Sequence, residues 1–446
     1  VVRIGSGELK GESLDGGLTA FRGVPFARAP RFGPPGPAEP WTGVRDATRH
    51  GPAAPQPPPR VGAVMGELKR DLVQDEDCLN LSVVTPGTEG RRPVMVWIHG
   101  GAYTTGAGSM DIYDARRLAA EGDVVVVTIN YRLGALGYLR LDGISPGNLG
   151  LLDQLAGLRW VHENVAAFGG DPDQVTVFGQ SAGAHSIACL MALPEARGLF
   201  RRAILQSAPL GLGLASPATA TRIARYFTSA LGEDPRTAPV ERILAAQQAA
   251  IVRAAGPGGL YSAPPFCPTG GTAPLPPARE WLPRAARAGV DVVIGTTRSE
   301  MNAFLNGKPG IAPLERTPVI RRGLEAAKSG ITRYVFGAPA MRFAGALGAA
   351  GARVFTYRFD WAAEGTDFGA CHCIELPFLF GDEQAWSGAP MLGTSAWDAR
   401  DRLGRELRRA WISFARTGTP AFSRPWQPDS LLRIGPDLVV SPAAAR

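Results

Sequence analysis

From about residue 79 onward, short apolar runs recur between stretches of helical pattern, and this alternation constrains the fold more than any other feature of the chain. The runs cover residues 79–84, 94–98, 124–129 and 175–178, a helical stretch spans 153–168, sheet-like runs return at 290–294 and 353–359, and a helix closes the pattern at 399–416. Strands this uniformly apolar are buried on both faces. Joined through helices, they build a mostly parallel central sheet covered by helices on each side, so the expected class is α/β. With 45% hydrophobic and 20% charged residues, 446 residues are ample for a large core.

Residues 1–60 read as short strand pieces broken by Gly and Pro, ending in the Pro-rich stretch 51–59, and are expected to form a surface wrap. The region from about 210 to 288 mixes amphipathic helices (219–231 and 240–254) with a loop at 256–277, the pattern of a helical cap inserted beside a pocket. No internal repeat is visible. Because sheet signals run from near residue 79 to past 359, residues 1–446 are expected to form one domain carrying that insertion.

The run at 174–178 leads directly into Gly179-Gln180-Ser181-Ala182-Gly183, and a helical pattern begins at Ala182. Strand, sharp turn and helix around G-x-S-x-G resemble the nucleophile elbow of the α/β-hydrolase fold. Small residues flank the serine because so tight a turn strains its backbone and brings other chain segments close. Ser181 is the candidate nucleophile. The plainer alternative, a serine capping a helix after a glycine-rich turn, needs neither the preceding strand nor the small neighbours.

The run at 94–98 ends in His99-Gly100-Gly101-Ala102-Tyr103. Acyl transfer builds negative charge on a carbonyl oxygen, which backbone N–H groups stabilise if nothing bulky keeps them away. The expected oxyanion donors are the N–H groups of Gly101, Ala102 and Ala182. A phosphate cradle over residues 100–108 lacks both the G-x-G-x-x-G spacing and a GK[ST] ending. His99 is expected to anchor this loop rather than to react.

The α/β-hydrolase order is nucleophile, acid, histidine. Of the five histidines, His50, His99 and His162 precede Ser181, and His185 lies one helical turn after it, pointing along the helix. His372, in a loop after the run at 353–359, is the remaining candidate. For the acid, Glu300 follows the run at 291–294 at its carboxyl end; Asp360, also at a strand end, is its competitor, while Glu375 and Asp367 read as loop or cap carboxylates. In this scheme His372 takes the Ser181 proton, the acid fixes its tautomer, and an acyl-enzyme forms and is hydrolysed without metal or cofactor.

Composition narrows the partners. The net charge is +7 and the pI near 9.4, yet only Lys10, Lys69, Lys308 and Lys328 among 47 basic residues are lysines, and the arginines are dispersed without interleaved aromatics. Nucleic acid is therefore not an expected partner. Apolar runs are far short of the roughly 20 residues that span a bilayer. No signal-peptide pattern is visible at the start, and the five isolated cysteines (Cys78, Cys189, Cys267, Cys371, Cys373) suit neither a disulfide framework nor a metal cluster. The expected location is the cytoplasm; monomer and homodimer both stay open.

Further motifs extend across nearly the whole chain: Phe21-Arg22-Gly23-Val24-Pro25-Phe26-Ala27, Glu76-Asp77-Cys78-Leu79-Asn80-Leu81, Asn130-Tyr131-Arg132-Leu133-Gly134, residues 147–154, Phe168-Gly169-Gly170-Asp171-Pro172 and Phe414-Ala415-Arg416-Thr417-Gly418. Together they resemble the type-B carboxylesterases, which include cholinesterases and bacterial p-nitrobenzyl esterases. The resemblance implies the α/β-hydrolase fold and the triad Ser181, Glu300, His372. It also implies ion pairs Arg31 with Glu76 and Arg132 with Asp171, and a Ser207 hydroxyl close to the acid.

Departures from the family pattern are equally informative. The family's early disulfide would join Cys78 to a position that here is Ala54. The residue before the nucleophile, often glutamate, is Gln180. Residues 57–77 contain no tryptophan to hold quaternary ammonium. The stretch from Glu300 to His372 is shorter than usual, which predicts a more open pocket. The expected activity is hydrolysis of small to medium uncharged carboxylic esters. An acyltransferase or cyclase using the same acyl-enzyme is the alternative, and a non-catalytic binding protein a more remote one.

Overall fold

The computed structural model describes residues 1–58, 62–66, 72–255, 264–308, 310–311, 314, 317–428, 430–435 and 439–442. Residues 256–263 of the loop expected at 256–277, residue 59 of the Pro-rich stretch, and residues 59–61 and 67–71 of the tryptophan-free segment lie outside this set.

Among the described residues the main sheet has eleven strands. In chain order they are β1 (Glu12–Ser13), β2 (Thr19–Pro25), β3 (Asn80–Thr85), β4 (Arg92–Ile98), β5 (Val125–Ile129), β6 (Gly170–Gln180), β7 (Arg202–Gln206), β8 (Asp291–Thr297), β9 (Val354–Phe359), β10 (Ser430–Ile434) and β11 (Val439–Pro442). Their spatial order is β11-β10-β9-β8-β7-β6-β4-β5-β3-β2-β1. Every pairing from β5 through β10 is parallel, while β1, β2, β3 and β11 add antiparallel edges. This is the α/β-hydrolase architecture expected from the alternation.

Side chains alternate across the pleat and divide the core in two. Val94, Val96, Ile98, Val175 and Val177 join one apolar cluster with Leu151, Leu155 and Leu158 of helix Leu149–Asn164 and with Ile187 of helix Ala182–Met191. Met95, Trp97 and Phe178 face the opposite cluster, built on Leu407, Trp411 and Phe414 of helix Trp397–Thr417. Burying both faces explains why residues 94–98 of β4 are apolar at every position.

The amino-terminal segment differs from the expected surface wrap. β2 pairs with β3 inside the main sheet, and Phe21 and Val24 are buried. Its register shifts between those two residues, with Gly23 at φ 62°, so a bulge breaks the alternation that would otherwise mark a strand. The amphipathic helices of the 210–288 region form as Pro217–Leu231 and Val240–Ala255. Ser216 caps the first through Thr219 N–H at 3.1 Å, and Ile223, Phe227 and Ile243 enter the first core cluster.

Parallel register sets up the site. Gly179 pairs with Ile98, Gln180 with Gln206, Gln206 with Gly295, and Gly295 with Tyr357, so the loops after β4, β6, β8 and β9 leave the same carboxyl edge. β5 and β6 flank β4 on opposite sides, making a topological switch point where a crevice opens in such sheets. Among the described residues, no helix is long and apolar enough to cross a membrane.

Candidate active site

β6 passes into helix Ala182–Met191 through a single residue, Ser181, at φ 56° and ψ −123°. A non-glycine residue held in so sparsely populated a region costs of order 1–3 kcal/mol and persists only when its surroundings enforce it. Here Ser181 N–H donates to the Gln206 carbonyl at 2.8 Å, and the Ser181 carbonyl accepts from His185 N–H at 2.9 Å. Space is equally tight: a side chain on Gly183 would collide with the Ile98 carbonyl, and a Cβ on Gly100 would stand 3.2 Å from Ser181 Cβ. The loop after β4 therefore lies directly against the serine.

That loop carries two of the three expected donors, Gly101 and Ala102, in an unusual backbone. Gly101, Ala102 and Tyr103 all have positive φ, at 117°, 53° and 63°. The Gly101 carbonyl accepts from Thr104 and Thr105 N–H, each at 3.0 Å, whereas the N–H groups of Gly101 and Ala102 have no partner among the described residues. Ala182 opens its helix, so its N–H also lacks an intrahelical acceptor.

Two buried histidines brace the loop. His99 Nδ1–H donates to the Gly100 carbonyl at 2.8 Å, and its ring stacks on Tyr131. His185 Nδ1 meets Tyr103 Oη at 2.6 Å and its ring packs on Trp281, well apart from a role on Ser181. Burial pushes each of them down to about 4, against backbone hydrogen bonds that act the other way. Both rings are neutral supports.

His372 and Glu300 come together as expected. Nδ1 of His372 lies 2.6 Å from Glu300 Oε2, Oε1 accepts from Thr297 N–H at 2.8 Å, and the exposures are 2% and 0%. Their loops are tied by Ser299 N–H to the Ala370 carbonyl at 2.8 Å. The competitor Asp360 is engaged elsewhere, paired with Arg358 and Arg433; burial pushes its carboxyl up, but these hydrogen bonds outweigh it and hold it low. The rings of Phe304 and Phe336 flank His372 at 5.1 and 5.3 Å. Phe336 arrives on a π-helical turn, Arg333–Gly337, between helices Pro318–Thr332 and Ala338–Ala349.

Ser181 is brought to the same edge but is not hydrogen-bonded to the histidine. Nε2 of His372 instead faces the Gln180 carboxamide nitrogen at 3.0 Å, and the Ser181 hydroxyl makes no hydrogen bond among the described residues. Ser207 N–H donates to the Gly295 carbonyl at 2.8 Å, and its buried hydroxyl makes no hydrogen bond among the described residues.

Glu375 ends the His372 loop at the N-cap position of helix Leu376–Phe380, but its side chain does not cap that helix. It is fully buried, accepts from Tyr357 Oη at 2.8 Å, and is pushed up to about 8 by burial, with nearby Glu300 adding to the effect and the Tyr357 hydrogen bond opposing it. It is thus a neutral acid at pH 7. Its position three residues after His372 marks it as near the site, but nothing in the letters signals the burial.

The carboxylesterase family model matches residues 1–317 and 320–431. This chain belongs to the carboxylesterase family. It is 46% identical over 411 residues to a probable N-octanoylanthranilate hydrolase of Rhodococcus erythropolis, covering 91% of this chain and 90% of that protein. It is 38% identical over 450 residues to the para-nitrobenzyl esterase of Bacillus subtilis, covering 93% and 89%. A solved PNB esterase superposes with a TM-score of 0.85 at 34% identity over 99% of this chain and 97% of that one. A Geobacillus stearothermophilus carboxylesterase gives 0.83 at 35% identity, over 100% and 98%. The protein is a carboxylesterase by this kinship, and its reaction class is ester hydrolysis.

Of the two ion pairs implied by the resemblance, Arg31 and Glu76 do meet, Nε to Oε2 at 2.8 Å, in a partly exposed pair. Arg132 pairs with Asp153 instead of Asp171, which is held by Arg91. The reason is topological. Arg132 follows the carboxyl end of β5, Asp171 begins β6, and the two strands run in the same direction, so the residues sit at opposite edges of the sheet.

Proposed function

We propose that Ser181, His372 and Glu300 are the catalytic triad of this carboxylesterase and that it hydrolyses small to medium, uncharged carboxylic esters. The observation that carries the reading is the strained Ser181 elbow on the same sheet edge as a buried His372–Glu300 pair at 2.6 Å. Glu300 accepts the hydrogen bond from Nδ1–H of His372, which fixes the tautomer and leaves Nε2 as a base for the Ser181 hydroxyl. The deprotonated oxygen attacks the ester carbonyl, the N–H groups of Gly101, Ala102 and Ala182 receive the oxyanion, and His372 returns the proton to the departing alcohol. Water then enters by the same route in reverse and releases the acid.

The neutral surroundings support an uncharged substrate. Phe304 and Phe336 stand beside His372, and Gln180 replaces a carboxylate next to the nucleophile. The relative named for para-nitrobenzyl esters fits uncharged substrates of this size range. In this reading helices Pro217–Leu231 and Val240–Ala255 cover the pocket from one side within a single domain. Five buried free thiols, with Ala54 at the position of the family's partner cysteine for Cys78, support a reducing compartment.

The test is Ser181→Ala, assayed on p-nitrophenyl acetate and butyrate. Loss of at least about a thousandfold in kcat is expected for a missing nucleophile. Activity within tenfold of the parent protein would remove Ser181 from the mechanism.

A further inference from the structure

Both ring nitrogens of His372 are engaged: Nδ1 with Glu300 Oε2 at 2.6 Å, and Nε2 with the Gln180 carboxamide nitrogen at 3.0 Å. A neutral ring whose Nδ1 hydrogen is directed at a carboxylate has a lone pair on Nε2, which accepts only from a donor, and a carboxamide nitrogen is one. Resting on the triad reading above, we propose that Gln180 is a positioning residue: its carboxamide donates to Nε2 of the neutral imidazole, holding the base unprotonated and in place until a bound ester brings the Ser181 hydroxyl to that lone pair.

Gln180 is built to stay where it is. It ends β6, is 2% exposed, and its backbone is in register with Gln206. Its carboxamide also occupies the space beside Gly100: a Cβ there would stand 2.8 Å from the Gln180 carbonyl oxygen and 3.0 Å from Oε1. Glycine at position 100 is therefore a condition for this amide to reach the imidazole.

The residue type decides the sign of the effect. A carboxylate at position 180, as the family often has, offers Nε2 no hydrogen and would favour the imidazolium. Around the ring, Glu300 comes from the loop after β8, Tyr357 from β9, and Cys371, Cys373 and Glu375 from the loop of His372 itself. Burial pushes Tyr357 and both thiols up and keeps Glu375 protonated to about 8, so near neutral pH none of these four adds a negative charge beside the ring. Gln180 keeps it so.

The experiment compares pH profiles of kcat/KM for p-nitrophenyl butyrate between pH 4.5 and 9 in the parent protein, Gln180→Glu and Gln180→Met. Placing an opposite charge beside a histidine raises its ionisation by about 1–3 units, so the acid limb of Q180E is expected to move up by that amount. Q180M, which loses the donor without adding charge, is expected to move it in the same direction by less. An upward shift in Q180M supports the proposal, with Q180E as the control that the limb reports on His372, whereas a Q180M limb that coincides with the parent, or moves down, overturns it. If Q180M does not fold, the Gln180 side-chain amide protons of the parent protein are followed by NMR. Their shifts must change in step with the acid limb, and indifference to pH refutes the contact. Ser181→Ala separates the two levels. An active S181A sinks the triad, while an inactive S181A with a Q180M limb coincident with the parent's sinks only the role of Gln180.

Discussion

Asp153→Ala should be among the most destabilising single changes in this protein, and the reason lies in what it would leave behind. Asp153 accepts three hydrogen bonds from Arg132: backbone N–H at 3.1 Å, Nε at 2.8 Å and Nη2 at 2.7 Å. The side chains are 5% and 0% exposed, and Nη1 is committed to the Gly33 carbonyl at 2.7 Å. Burial works against the guanidinium charge and Asp153 more than restores it. Removing the carboxylate strands a buried cation at a cost of about 3–5 kcal/mol. Asp171→Ala is the control, since its partner Arg91 is 69% exposed and such a pair contributes about 1 kcal/mol or less. Urea unfolding followed by tryptophan fluorescence measures both. The double variant Arg132→Met with Asp153→Leu should recover much of the loss, because it removes the charge together with its partner. Costs for D153A and D171A within about 1 kcal/mol of each other would refute the assignment of Asp153 as the buried partner of Arg132. D153A should also lower kcat, as neighbouring Tyr131 donates to the His99 carbonyl at 2.8 Å and so supports the loop against Ser181.

Acid should weaken the fold in a defined window. His99 and His185 are held near 4 when folded, against an ordinary value of 6.5, so the unfolded chain binds the extra protons and stability falls as pH drops from about 6.5 towards 4. At pH 5 each costs about 2 kcal/mol, and a urea midpoint unchanged between pH 7.5 and 5 would contradict their burial in the neutral form. Glu375 acts with the opposite slope: its carboxyl stays protonated to about 8, so its contribution is complete below its ordinary 4.5 and is lost as pH rises through 8. Keeping that proton at pH 7 costs about 3 kcal/mol, and Glu375→Gln should be at least as stable as the parent there, with an advantage that grows from pH 5 to 8; a variant less stable at every pH would show that Glu375 is ionised in the folded protein.

The features legible in the letters are those in which geometry restricts residue type. An elbow as tight as Ser181 admits only small neighbours, and Gly183 against the Ile98 carbonyl is the physical reason. His372 and Glu300 could be ordered along the chain because parallel strands deliver their loops to one edge. Other contacts were hidden because several residues of one type compete for the same partner. Asp153 and Asp171 are equivalent as letters, and only the direction of β5 and β6 decides between them. The helix Pro318–Thr332 escaped notice because it hides so little: Val319 is 79% exposed and Ile320 43%, while Lys328 and Thr332 are the residues buried. Its letters are amphipathic, but the buried positions carry Lys328 and Thr332 rather than apolar residues. Gln180 combines both difficulties. Its letter announces a missing negative charge, but a donated hydrogen bond to a histidine 192 residues away depends on where two loops end. The absence of a charge and the presence of a donor have different consequences, since the first only withdraws support from the imidazolium, whereas the second adds support to the neutral base. That difference is why Q180M, which changes the donor alone, must move the acid limb if the contact is real.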